Sequence, residues 1–277
     1  MAYGGGTFTA QNKVLPGAYL NFVSAARASA QLGARGTAAL FLPLSWGPEG
    51  VVTSLKAEYF AQEAMRLFGC SADDESLRPV REAFCNAETL LFYRPAGGGK
   101  AQSTHASARY GGSGGNRIRI VIRENGGSYE VATVVDGTEQ EVQTVANAAE
   151  LVPNDFVTFT DAALAATAGE PLTGGTDKEP ETADYEAFLK AVEPFTFQAL
   201  GCASTDEEVN ALFVSFTRRM REEAGVKFQT VLYRTDADYE GVISVQNSAQ
   251  EEEPALVYWV TGAAAGCAGN NSGSNKI

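Results

Sequence analysis

Histidine is almost absent: the 277-residue sequence contains one, His105. A serine nucleophile working near neutral pH needs an imidazole base, so any Ser/His/Asp triad would have to use this residue. It stands in a connector of small residues, GGGKAQSTHASARY, a poor place to hold an imidazole rigidly. His105 therefore reads as an exposed loop residue. Cysteine is sparse too: Cys70, Cys85, Cys202 and Cys267 are widely spaced with no C-x-x-C pair. That excludes zinc-ribbon and thioredoxin-like motifs and leaves four reduced, mostly buried thiols. No stretch approaches the roughly 18 apolar residues that cross a bilayer, so no membrane insertion is expected. The opening MAYGGGTFTAQNK lacks the basic start and apolar core of a signal peptide, which fits synthesis in the cytoplasm.

Positive charge is also short. Lys and Arg number 21 against 34 Asp and Glu, a formal charge of −13. Phosphate backbones require a basic face, so no nucleic-acid partner is expected. The one basic cluster, Arg218, Arg219 and Arg221, runs straight into Glu222 and Glu223 and reads as a solvated helix face. The acidic stretches 73–75, 206–208 and 251–253 lack the alternating oxygens and glycine of a calcium loop. Asp177, Glu179, Glu181 and Asp184 fall in a Gly/Pro/Thr segment and read as linker charge. No catalytic, cofactor-binding or metal-binding residue emerges.

Glycine is what the chain has in quantity, 29 residues, and residues 110–122, YGGSGGNRIRIVI, concentrate it. A phosphate loop needs the order strand, glycines, helix. Here the glycines precede an alternating strand, with Ile118, Ile120 and Ile122 on one face and arginines on the other. Either side of this region the pattern is that of an α/β layer. Residues 37–44 form a doubly buried strand, 57–68 a helix closed by Gly69, 76–85 a second helix begun by Asp73, Asp74 or Ser76, and 89–95 a strand. Between 97 and 177 the segments are β-like, with hairpin turns at Asn125-Gly126-Gly127 and Asp136-Gly137. From 182 the α/β pattern resumes: helix 182–193, strand 195–204, a capping box from Thr205 to Glu208, strands 226–234 and 241–248, and a helix over 255–269. The first nineteen residues have neither period and read as an extended arm.

Five stretches in order, GTFTAQNKVLPGAYLNF, ARYGGSGGNRIRIVI, NDFVTFT, LTGGTD and WVTGAAAGCAGNNSGSNKI, together resemble contractile phage tail sheath proteins over essentially the whole chain. The resemblance implies a three-layer α/β domain of subtilisin-like fold, built from 20–96 and 178–277, with a small antiparallel β domain inserted at 97–177. It implies a structural subunit, not an enzyme, that polymerises around a tail tube and contracts to drive the tube through a cell envelope. The partners it implies are further copies of the chain, the tail tube protein, and baseplate and tail terminator proteins. The implied location is the virion tail or an extracellular contractile particle. Such proteins continue beyond the NKI stretch, so the sequence is expected to lack the family's C-terminal region. Thr7, Phe8 and Thr9, behind a Gly4-Gly5-Gly6 swivel, are the candidate inter-subunit arm, a strand to add to a neighbour's sheet. Flexible glycines at both junctions suggest that splicing Gly98 to Gly175 leaves a folding α/β remainder. A phage-derived bacteriocin sheath, and more distantly a hydrolase with a degenerate α/β fold, stay open as alternatives.

Overall fold

The computed structural model describes residues 36–250 and 253–271. The arm at 1–19, with Thr7, Phe8 and Thr9, lies outside the described residues. In chain order the elements begin with β1 (Thr37–Phe41), β2 (Val52–Lys56), α1 (Phe60–Phe68), α2 (Arg78–Phe84) and β3 (Thr89–Tyr93). Then come β4 (Ala106–Ala108), β5 (Ile118–Asn125), β6 (Ser128–Val135), β7 (Thr138–Val145), β8 (Val157–Phe159) and β9 (Thr167–Pro171). The last group is α3 (Thr182–Val192), β10 (Ala199–Cys202), α4 (Glu207–Glu222), β11 (Gln229–Tyr233), β12 (Val242–Val245) and α5 (Leu256–Asn271). The architecture is mixed α/β with several sheets.

The largest sheet has six strands in the order β12-β11-β10-β1-β3-β2, parallel except for β2, which runs antiparallel beside β3. Its central strands are apolar throughout because both faces are covered. Ala38, Leu40, Leu90 and Phe92 face α1, α2 and α5. Ala39, Phe41, Leu91 and Leu200 face α3 and α4. At Gly201 a side chain would overlap Thr261, so glycine lets α5 settle directly on β10. The same helix crosses the end of α2 on Gly262 and Gly266, which lie against the backbone of Ala83 and Asn86.

A second core lies among the strands between β3 and α3. Strands β7-β6-β5-β9 form an antiparallel sheet, and β4 pairs with β8. Ile118, Ile120 and Ile122 are fully buried with Val131, Val135, Val157 and Leu172. The left-handed backbones of Gly126 and Gly127, and of Asp136 and Gly137, make the two tight hairpins. Trp46, from the loop after β1, is also buried in this core, edge-on to Tyr110 and stacked near Phe156.

Two strands had no expectation attached, and two expectations need correction. β2 and β9 carry no clear alternation, VTSLK and TAGEP, and are held as edge strands by their neighbours. The strand expected over 195–204 is confined to Ala199–Cys202. The helix after it is capped by Asp206, whose carboxylate accepts from the Glu208 amide, so the Thr205–Glu208 box does not form. A reciprocal box does form at α3, between Glu181 and Asp184.

Candidate functional site

In an open parallel sheet, ligands bind beyond the carboxyl ends of the strands where the strand order reverses. Here that point lies between β1 and β10, with β3 on the far side of β1. It is packed with rings. Phe41 lies 4.2 Å from Tyr185, 5.9 Å from Phe188 and 6.2 Å from Tyr93, centroid to centroid. Phe188 and Phe213 are wholly buried behind them. Burial, with Cys202 beside it, pushes the Tyr185 phenol up to about 12 despite a hydrogen bond with Ser204. A neutral phenol in an aromatic cluster serves packing.

The glycine-rich loop is occupied in a different way. Ser113 donates its amide (2.8 Å) and its hydroxyl (2.5 Å) to the two oxygens of Asp177. The anion held by the loop is thus the protein's own carboxylate. A Cβ at Gly112, whose φ is +121°, would overlap the Ser45 carbonyl, and one at Gly111 would overlap the Gly98 carbonyl. The glycines allow backbones to touch where the two cores join. Arg94 closes this junction from inside. It is 3% exposed and donates to the carbonyls of Leu44 (2.6 Å), Gly47 (2.9 Å) and Gly111 (2.5 Å), with Glu49 at 3.7 Å. Sequence reasoning missed both Arg94 and Trp46. The available signal was a lone arginine closing an apolar strand, LLFYRP, where a buried guanidinium needs several acceptors.

His105 is not an exposed loop residue. Its side chain is 13% exposed, and Nδ1 lies 2.6 Å from Glu170 Oε2. Nε2, the atom a triad would turn toward serine, lies 3.2 Å from the Ala163 carbonyl oxygen. The acidic residues near 177–184 are not free linker charge either. Lys178 pairs with the buried Asp184 at 2.6 Å, and Asp184 also accepts from the Glu181 amide. In the arginine cluster, Arg219 pairs with Glu193 at 2.6 Å, while Arg221 donates to the Phe228 carbonyl and to Glu240. Among the described residues no group of three His, Cys, Asp or Glu side chains could hold a metal ion, and no helix is long and apolar enough to cross a membrane.

Sheet edges are a further feature with binding capacity. The six-stranded sheet ends in β12 and β2, the four-stranded one in β7 and β9. On β7, the side chain of Gln143 meets the passing backbone of Val152, donating to its carbonyl (2.8 Å) and accepting from its amide (2.9 Å). This covers one edge with a side chain.

These features define a multi-sheet α/β protein with an aromatic cluster at the point where the strand order reverses. Comparison with known proteins gives the family. Residues 35–94 match the domain III N-terminal region of tail sheath protein Gp18, 87–177 the phage tail sheath protein beta-sandwich domain, and 178–276 the phage tail sheath protein central domain. The chain belongs to the phage tail sheath proteins, a structural family. Two relatives from Bacillus subtilis (strain 168) align over 97% of the chain: the uncharacterized protein YqbK at 37% identity and the phage-like element PBSX protein XkdK at 36%. The chain spans 64% of the length of each. The solved sheath tail protein of Desulfitobacterium hafniense superposes with a TM-score of 0.77 at 39% identity, over 90% of this chain and 62% of that one. That of Listeria innocua gives 0.75 at 34% identity, over 84% and 57%.

Proposed function

We propose that this chain is a non-enzymatic subunit of a contractile tail sheath, which polymerises around a tail tube and shortens to drive it through a target envelope. The observation that carries this reading is the ordered match of three sheath families across 35–276. In it, 20–96 and 178–277 form one discontinuous α/β domain of subtilisin-like type, and 97–177 is a β domain inserted there. The sharing of one sheet by β1–β3 and β10–β12 supports this division. The tail tube, baseplate and tail terminator proteins are the proposed partners, with further copies of the subunit joined through the arm at Thr7, Phe8 and Thr9. An added strand gains main-chain hydrogen bonds, and its tether can stretch without refolding either body. A prophage-derived contractile particle is the second reading, favoured by the similarity to the phage-like element PBSX protein.

The test is electron microscopy of the complete subunit with and without residues 1–18. Removal of the arm should leave a folded, cooperatively unfolding monomer and abolish tubular polymers. Polymers formed equally well by both would overturn the role of the arm.

A further inference from the structure

We propose that the charge state of His105 controls a loop: the protonated ring docks residues 160–166, and the neutral ring releases them. Three segments converge on the imidazole, namely the turn before β4, the stretch after β8, and β9. Nδ1 faces a carboxylate oxygen of Glu170 at 2.6 Å, and Nε2 faces the Ala163 carbonyl at 3.2 Å. Both partners accept and neither has a proton to give. Only the doubly protonated ring, with a donor at each nitrogen, completes both bonds. In the neutral ring the carboxylate retains the single proton at Nδ1, and a lone pair at Nε2 then confronts the lone pairs of Ala163.

Glu170 cannot turn aside to relieve this, because its other oxygen accepts from the Thr104 amide at 2.7 Å. Burial opposes its charge, but the bonds from His105 and Thr104 outweigh burial and bring the carboxyl down to about 2. Glu170 is therefore a fixed anion while His105 changes state. The loop itself belongs to no helix or strand. Thr160 anchors its start, through its amide to the His105 carbonyl (2.9 Å) and its hydroxyl to the Thr104 carbonyl (2.7 Å). Further along, the loop is held by the bond to Ala163 and by the partial packing of Leu164 on the β-rich core. Two titratable groups belong to the segments that meet at the ring, and a third faces the loop. Glu170 comes from β9, Asp161 from the loop itself, and Tyr129 from β6 across the cavity it lines with Asp161, Ala163 and Leu164. The turn before β4 and β8 bring hydroxyls and no charge.

The loop reads TDAALAA, a sequence open to a protease that cleaves after small residues. With one histidine in the chain, NMR of ring-labelled protein follows the titration of His105 without assignment. Elastase cleavage within 160–166 of the full chain, divided by cleavage of a free peptide of that sequence, reports opening independently of the enzyme's own pH response. The ratio should rise about tenfold to a hundredfold as the ring loses its proton, the worth of one charge-assisted hydrogen bond. His105→Gln should hold it constant with pH. A ratio that stays flat through the ring titration in the unmodified chain overturns the proposal, as does a rise that persists in the variant.

Discussion

Glu170 shows how much a single side chain can organise. It holds the imidazole with one oxygen and a backbone amide with the other, and these bonds outweigh the cost of its burial. Its carboxyl titrates at about 2 in the fold against an ordinary 4.5, so on acidification the unfolded chain takes up the proton first. The stability it contributes is complete above about 4.5 and is lost as the pH falls toward 2. Glu170→Gln should flatten this part of the curve. Urea midpoints measured across that interval should fall less steeply in the variant than in the parent, and parallel curves would remove the assignment. The sequence concealed the pair for a simple reason. His105 and Glu170 are 65 residues apart, and a connector of small residues carries no period that signals burial. Arg94 was hidden likewise, since its acceptors are carbonyls, which any residue supplies.

Elements were more legible, because apolar period is a property of neighbouring residues. The buried face of α4, with Val209, Phe213, Phe216 and Met220, follows from spacing alone, and so does the inward row Ile118, Ile120 and Ile122. Caps were less legible, since Thr205 and Asp206 both suit the position and only the local backbone decides between them. One of the first amides of α4, that of Glu208, is met by the Asp206 side chain, so Asp206→Ala should cost about 1 kcal/mol. Thr205→Ala should be close to neutral. Thermal unfolding of the two variants separates the alternatives, and a larger loss for Thr205→Ala would reverse the assignment. Edge strands β2 and β9 escaped notice because one partner and one covered face ask little of their sequence.

At the scale of the whole molecule, the switch in pattern near residues 97 and 177 reflects two cores, yet the spacing of apolar residues says nothing of what joins them. Trp46 belongs in sequence to the loop after β1 and in space to the β-rich core. Splicing Gly98 to Gly175 would expose its ring and remove Gly111 from Arg94. The remainder should still fold, but with a stability lower by about 2–3 kcal/mol, the worth of one large apolar side chain returned to water. Its tryptophan emission should shift to the red relative to the parent. An unchanged midpoint would mean that Trp46 finds cover elsewhere, and loss of all cooperativity that the two cores are one.

The order of the six-stranded sheet also bears on how the chain acquires its shape. Its middle strand, β1, is among the first to be made, but it pairs on one side with β10, and Thr37 bonds to Gln198, 161 residues later. On a ribosome adding about 5–20 residues per second, β1 spends roughly ten seconds or more with that flank uncovered. The hairpins β5-β6-β7 close locally in the meantime and contract the intervening chain, which lessens the entropy lost when β10 arrives. The most exposed moment for aggregation is therefore an early one, when TAALF has β3 on one side and nothing on the other.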